Sequence, residues 1–145
     1  MKISVVASGT RGDVQPYIGL GKGLQDSGYS VRVLTSDDFE SLVIGAGLEF
    51  ASMGESVEAV LQGEQGRKVM ESGNFLEILR RMMSAMKERA HDLARNLPNM
   101  LEGTDLILTG VSGVGSTFSI AEKLNIPVIQ AYVFPLTRPV PSPVH

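Results

Sequence analysis

The feature that most constrains the fold is an apolar run that ends in a glycine-rich turn. Residues 2–8 are almost continuously apolar rather than alternating, which is typical of a central parallel strand covered on both faces. The turn Ser8-Gly9-Thr10-Arg11-Gly12-Asp13-Val14-Gln15-Pro16 follows, and we expect Pro16 to open a helix that ends near Ser27. This order predicts the first strand-to-helix unit of an α/β domain.

The same alternation continues along the chain. Four more apolar segments are predicted strands, at residues 30–35, 48–53, 104–109 and 126–133. Helical spacing is predicted for residues 38–44, for residues 75–97 and for the segment after Ser116. Parallel strands joined by right-handed crossovers predict a doubly wound, Rossmann-like sheet in the order 3-2-1-4-5, with helices on both faces. Residues 54–73 are loosely patterned and predict an insertion, and the glycines at 19, 21 and 23 predict close packing of the first helix on the sheet.

Composition excludes several classes of function. A net charge of -3 leaves no basic excess, so we expect no nucleic acid as a partner. The chain has no cysteine and two histidines, which excludes thiolate chemistry and gives no histidine metal site. No window approaches the roughly eighteen apolar residues of a membrane span. We therefore expect a cytoplasmic protein without a transmembrane segment and without a metal site built from thiolates or from histidines alone.

A doubly wound sheet opens a crevice where neighbouring connections leave in opposite directions, here beyond strands 1 and 4. The loops 9–15 and 110–116 line that crevice in our prediction, with Gly110, Ser112 and Gly113 as lining residues. Helix N-termini at this edge suit a phosphate or another anion. A dinucleotide is disfavoured, because the turn reads Gly-Thr-Arg-Gly-Asp-Val and the glycines of the 19–23 run come too late to touch a pyrophosphate.

Three segments together carry a resemblance to a known family. They are Gly9-Thr10-Arg11-Gly12-Asp13-Val14-Gln15-Pro16, Leu20-Gly21-Lys22-Gly23-Leu24 and Gly28-Tyr29-Ser30-Val31-Arg32-Val33-Leu34-Thr35. They resemble the amino-terminal domain of GT-B glycosyltransferases, nearest to the family 28 and family 1 enzymes that glucosylate sterols, lipids and natural products. The segment Ala121-Glu122-Lys123-Leu124-Asn125-Ile126-Pro127-Val128 is similar to a later part of the same domain.

The resemblance implies transfer of a hexose from a nucleotide-sugar donor to an acceptor hydroxyl, with inversion and without a metal. The nucleotide-sugar is a co-substrate, so no cofactor is expected. In this scheme residues 1–134 form an acceptor-binding domain for a small-molecule or lipid alcohol, and residues 135–145 form a proline-rich tail that we expect to be truncated. The donor binds mainly to a carboxyl-terminal donor domain, which we expect to be absent here, and the fragment alone is expected to be inactive.

The resemblance also implies roles for single residues. Asp13 matches the proposed general base, and Gly9, Thr10, Arg11 and Gly12 match positions that contact donor phosphate or acceptor. Asp13 has an alternative as a helix N-cap, although Pro16 would then stand at the third helical position without an N–H to offer. Arg11 has three possible roles: an ion pair with Asp13, a contact with the donor, or a solvated turn residue.

The longest helix has two further open features. Met82, Met83 and Met86 suit an adaptable acceptor pocket, but we favour core packing of an amphipathic helix. A basic face formed by Arg80, Arg81, Lys87 and Arg89 allows peripheral contact with anionic lipid, but we favour a solvated face.

Two other functions stay open from the sequence. One is a stand-alone binding module or split-glycosyltransferase subunit that works with a partner chain. The other is a flavodoxin-like nucleotide-binding or regulatory domain, which would bind its ligand tightly by itself.

Overall fold

The structure is a computed structural model that describes residues 1–54, 56, 63, 75–110 and 114–134. The strands are β1 (Lys2–Val6), β2 (Ser30–Thr35), β3 (Glu49–Ser52), β4 (Leu106–Thr109) and β5 (Val128–Gln130). The α-helices are α1 (Arg11–Asp26), α2 (Glu40–Gly45), α3 (Phe75–Met100) and α4 (Val114–Leu124), and a 3₁₀ turn at Asp37–Phe39 precedes α2. Most of the predicted 54–73 insertion and all of the 135–145 tail lie outside the described residues.

The five strands form one parallel sheet in the order β3-β2-β1-β4-β5. The predicted order is therefore confirmed. In the register, Val5 of β1 lies between Val33 of β2 and Leu108 of β4. Strand β5 is shorter than predicted, because regular pairing with β4 ends at Gln130.

Both faces of the sheet are covered, which explains the nearly continuous apolar run of β1. On one face Val5 and Val33 pack with Val14 and Ile18 of α1 in a single buried cluster. On the other face a second cluster joins one residue from each of β1, β2 and β4 to helices α3 and α4; its buried members include Val6, Leu34, Ile107, Leu97 and Ala121. Successive residues of a strand point to opposite faces of the sheet, so apolar residues are needed on both faces of a strand that is covered on both sides.

The start of α1 differs from our prediction. The helix begins at Arg11 with Thr10 as its N-cap, and Pro16 lies inside it as the sixth residue. The proline forfeits one hydrogen bond, from its own nitrogen to the Gly12 carbonyl. Buried Val14 and Ile18 on either side of it hold the helix to the sheet and offset that loss.

The glycines of α1 are tolerated for different reasons. A Cβ at Gly21 would lie 3.1 Å from Leu48 Cδ1 and 3.3 Å from Val31 Cγ1, so close packing on the sheet is confirmed there. Cβ atoms at Gly19 and Gly23 would meet nothing within 4 Å. For these two positions the close-packing explanation is wrong, because they face away from the sheet.

This difference gives a prediction about stability. We expect Gly19→Ala and Gly23→Ala each to raise the free energy of unfolding by about 0.5–1 kcal/mol, because alanine loses less backbone entropy in a helix. Gly21→Ala should gain less or lose stability, because its methyl group meets Leu48 and Val31. Urea denaturation of the three variants measures this, and equal gains at all three positions would contradict it.

An ion-pair group ties the first three strands together. Arg32 Nη2 lies 2.6 Å from Glu49 Oε1, and Lys2 Nζ lies 3.4 Å from Glu49 Oε2. Arg32 Nη1 also donates to the Met100 carbonyl at 2.7 Å, at the end of α3. Burial by itself raises the pKa of Glu49, but the hydrogen bond and charge of Arg32, together with Lys2, bring the pKa below its usual value.

The lowered pKa of Glu49 fixes the sign of a pH effect. Its contribution to stability is present above the unfolded pKa of 4.5 and is lost as the pH falls through the lower folded pKa. We expect Glu49→Gln to cost less than about 1 kcal/mol at pH 7, because the pair is partly in water. Denaturation curves of variant and wild type should converge in acid. A constant gap from pH 7 to pH 3 would contradict the assignment.

Helix α3 is longer than the sheet is tall. Its 26 residues span about 39 Å, whereas a strand of six residues such as β2 spans about 20 Å. The helix leads into the amino end of β4, so its last turns lie on the sheet, where Leu97 is fully buried. Its first turns extend past the carboxyl edge, and Leu76, Leu79 and Met83 are exposed there. Within the described ranges, no helix combines the length and the apolar character needed to cross a membrane.

Candidate functional site at the carboxyl edge of the sheet

The turn between β1 and α1 is tight and leaves no room for a side chain at Gly9. Gly9 has a φ of +128°, a conformation that side chains rarely adopt. A Cβ there would lie 2.5 Å from Asp13 Oδ2 and 2.9 Å from Asp13 Cγ. Gly9 therefore lets the turn close around the Asp13 carboxylate.

The Asp13 side chain is fixed by the residue that caps α1. Its Oδ2 accepts hydrogen bonds from the Thr10 N–H at 2.8 Å and from Thr10 Oγ1 at 2.9 Å. Asp13 is the third helical residue, so it takes part in helix capping from inside the helix rather than as the N-cap. Both hydrogen bonds end on the same oxygen, Oδ2. Thr10 therefore fixes the orientation of the carboxylate through Oδ2, and Oδ1 is not used by these two bonds. Its role as a general base stays a prediction.

The other residues of the turn face solvent. Thr10, Arg11 and Gly12 are exposed, as a contact with donor or acceptor requires. Arg11 Nε donates to Gln15 Oε1 at 3.3 Å. Among the salt bridges of the described residues there is none between Arg11 and Asp13, so of the three readings of Arg11 the ion pair is not formed. The contacts of Thr10, Arg11 and Gly12 with donor or acceptor stay predictions.

The opposite side of the crevice begins at Gly110, directly after β4. Gly110 is buried, and a Cβ there would collide with the Tyr17 hydroxyl and lie 2.9 Å from Tyr17 Cζ. The phenol of Tyr17 thus lies against the backbone at the end of β4. Ser112 and Gly113, the other predicted lining residues, lie outside the described residues. Gly110 is brought to the same edge of the sheet as Asp13, and lining of the crevice stays a prediction.

Tyr17 is a site residue that the sequence did not indicate. It is 6% exposed, and its hydroxyl donates to the Ala131 carbonyl at 2.5 Å, just beyond β5. Burial raises the pKa of Tyr17, and the charge of Asp13 and then Tyr132 raise it further. Tyr17 is therefore neutral near pH 7 and stands close enough to Asp13 to sense its charge. The available signal was its position four residues after Asp13, on the same face of a helix that we expected to start later.

Several apolar side chains after β5 and on the first half of α3 are exposed. Tyr132, Val133 and Phe134, which follow β5, are between 36% and 49% exposed. Met83 in the first half of α3 is 62% exposed, so the prediction of core packing is wrong for this residue. The reason is that α3 packs on the sheet through its last turns, at Leu93, Leu97 and Met100. The side chains of Met82 and Met86 lie outside the described residues.

The basic residues of α3 are described only in part. Arg80 and Lys87 are exposed, as a solvated face requires, and the side chains of Arg81 and Arg89 lie outside the described residues. In the described part of the chain no three His, Asp or Glu side chains are grouped to hold a metal ion. Metal independence stays a prediction.

Comparison with known proteins decides the family. The model of the glycosyltransferase family 28 N-terminal domain matches residues 3–139. The chain belongs to this family. Its parallel sheet and the turn that carries Asp13 are thus those of a family 28 N-terminal domain, and the resemblance drawn from the sequence is confirmed.

The curated relatives of this family 28 domain include glucosyltransferases. A sterol 3-beta-glucosyltransferase of Gibberella zeae is 36% identical over 139 residues, which cover 95% of this chain and 9% of that protein. An uncharacterized glycosyltransferase of Mycobacterium leprae is 33% identical over 133 residues, which cover 88% of this chain and 30% of that protein. The chain therefore spans less than a third of the length of either relative.

Solved structures give the same fold. The Streptomyces sp. SF2575 glycosyltransferase SsfS6 superposes with a TM-score of 0.64 at 25% identity, over 91% of this chain and 39% of that one. The same enzyme has been solved in complex with thymidine diphosphate, with a TM-score of 0.63 over 91% of this chain and 38% of that one, at 24% identity. The family 28 domain thus has the fold of one part of a larger glycosyltransferase.

Proposed function

We propose that this chain is the acceptor-binding domain of an inverting, metal-independent glycosyltransferase. It moves a hexose from a nucleotide-sugar to an acceptor hydroxyl, and it acts together with a donor domain. The observation that carries the proposal is the Asp13 carboxylate, which Thr10 fixes at the carboxyl edge of the sheet of a family 28 domain. That edge is where open α/β sheets bind ligands.

The proposed chemistry needs one base and one leaving group. The acceptor oxygen attacks the anomeric carbon of the donor sugar, and the bond from that carbon to the nucleotide phosphate breaks on the opposite side. The acceptor proton moves to Asp13, and the nucleoside diphosphate leaves with the electron pair of the broken bond. Because Oδ2 is engaged by Thr10, we assign proton transfer to Oδ1.

The proposed acceptor is an apolar alcohol of the sterol type. Exposed apolar side chains stand at the carboxyl edge, after β5 and on the first turns of α3. They offer an apolar wall to a substrate whose reacting hydroxyl points at Asp13, as pockets that orient a ligand by few polar groups do. The sterol glucosyltransferases among the relatives support this class.

The proposed donor is a nucleoside diphosphate hexose. Support comes from the thymidine diphosphate held by SsfS6 and from the exposed first turn of α1. Helix N-termini attract phosphate, and the turn also presents the Thr10 hydroxyl and the Arg11 guanidinium to solvent. In this proposal the turn meets the diphosphate only when the donor domain closes over it.

The test is a transfer assay on the full-length protein. Uridine and thymidine diphosphate hexoses are each combined with cholesterol, ergosterol and a soluble phenol, and products are followed by mass spectrometry. We expect a hexose adduct of the sterol with an anomeric configuration opposite to that of the donor, unaffected by EDTA. Retained configuration or inhibition by EDTA would contradict the mechanism. Tight binding of donor or acceptor without any transfer would instead favour the binding-module alternative.

A further inference from the structure

Tyr17 joins the helix that carries Asp13 to two distant strands. It lies four residues after Asp13 in α1, so the two side chains lie on one face of the helix. Its hydroxyl donates to the carbonyl of Ala131, beyond β5. In the sheet order, β4 lies between β1 and β5, so the phenol reaches across the end of β4.

Two features of the neighbouring strands make this reach possible. Gly110 follows β4, and any Cβ there would collide with the phenol. Ala131 is itself fixed, because its N–H donates to the Thr109 carbonyl at 3.0 Å, directly after the last pair of β4 and β5. The anchor point of the Tyr17 hydroxyl therefore lies directly after β5 and is held to β4 by a backbone hydrogen bond.

We propose that Tyr17 is a positioning residue that sets the placement of the Asp13 carboxylate relative to the ends of β4 and β5. The inference rests on the proposed function, because it assigns Asp13 the role of base. Val14 and Ile18 hold α1 to the sheet through apolar contacts. Such contacts fix the distance between the helix and the sheet but are not directional, so they restrict the rotation of the helix about its axis less strongly. The hydrogen bond to Ala131 adds a direction, and it fixes the rotation of the first turns of α1.

The test uses Tyr17→Phe in the full-length enzyme, which keeps the ring and removes only the hydroxyl. We expect kcat to fall about tenfold, because small misplacements of a catalytic group are costly, while KM for the nucleotide-sugar stays within twofold. Tyr29→Phe is the matched control. Tyr29 is exposed and follows the other end of α1, so its variant should keep wild-type kcat and KM.

A second readout does not depend on activity. The amides of Asp13 and Val14 both donate to the Thr10 carbonyl, at 2.9 and 3.1 Å. Hydrogen exchange of a peptide covering residues 8–16 should be at least threefold faster in Tyr17→Phe than in wild type or Tyr29→Phe. Unchanged exchange would overturn the inference even if the enzyme transfers a hexose. Faster exchange in a protein without transferase activity would support the positioning of the turn and contradict the proposed function.

A third variant tests the path through β4. Gly110→Ala should displace the phenol and lower kcat by a similar factor. In the Tyr17→Phe background the same change should cost less than it does alone, because the hydrogen bond that it disturbs is already gone. Fully additive losses of kcat in the double variant would overturn the inference. A Tyr17→Phe enzyme in which kcat falls, KM rises and the thermal midpoint falls together would also overturn it, because Tyr17 would then have a purely structural role.

Discussion

Asp13→Asn in the full-length enzyme should lower kcat about a hundredfold or more, because an amide does not take up the acceptor proton. The variant keeps an oxygen that can accept the hydrogen bonds from the Thr10 N–H and hydroxyl. Helix capping therefore survives, and the thermal midpoint should move little. The measurement is a steady-state assay of hexose transfer beside a thermal melt.

Two further variants separate catalysis from capping and from charge. Asp13→Ala removes the two hydrogen bonds from Thr10 as well as the base, and it should lower the free energy of unfolding by about 1 kcal/mol. Asp26→Asn is the matched control, since Asp26 is an exposed carboxylate at the other end of α1, where Lys22 Nζ lies 2.9 Å away. Its turnover should equal that of wild type. If Asp13→Asn keeps turnover within a few-fold of wild type, capping is the whole role of Asp13.

Gly9→Ala should damage both stability and activity. At a φ of +128° an alanine is strained, at a cost of about 1–3 kcal/mol. Its methyl group would also lie 2.9 Å from the Asp13 Cβ and Cγ atoms, so a shift of the flexible carboxylate tip alone does not relieve the contact. The turn must open, and kcat should fall about a hundredfold as the base moves away.

The control for Gly9→Ala is the same chemical change elsewhere in the segment. Gly19→Ala adds a methyl group that meets nothing within 4 Å, and it should leave kcat unchanged. Thermal melts and transfer assays of both variants, made in the full-length enzyme, measure the difference. A Gly9→Ala enzyme with wild-type kcat and thermal midpoint would show that the turn does not constrain Asp13 as its geometry indicates.

The sheet could be predicted from the sequence because its signal is local. The apolar run of β1 is nearly continuous because residues such as Val5 and Val6 pack on opposite faces. Crossover rules then leave few orders for five parallel strands. The prediction for the start of α1 is wrong because proline favours the first turn of a helix, whereas the Thr10 cap begins the helix five residues before Pro16.

The surroundings of Asp13 could be predicted only in part. Its place after the first strand follows from the turn sequence, but its contact with Thr10 depends on where the helix begins. Tyr17 stayed hidden because its hydrogen-bond partner is 114 residues away. Met83 was misassigned because the periodicity of a helix shows which face is apolar and not how far the sheet extends beneath it.

The sequence by itself determined the parallel sheet, its strand order and the turn that carries Asp13, because the strands and the turn follow from local patterns and the order follows from the crossover rules. Only the tertiary structure decided which groups stand around that turn. The Tyr17 phenol contacts the Gly110 backbone and the Ala131 carbonyl. These groups meet because the carboxyl ends of β1, β4 and β5 lie side by side and α1 follows β1. No local pattern encodes such a meeting, since each member is compatible with its own segment whether or not the others are present.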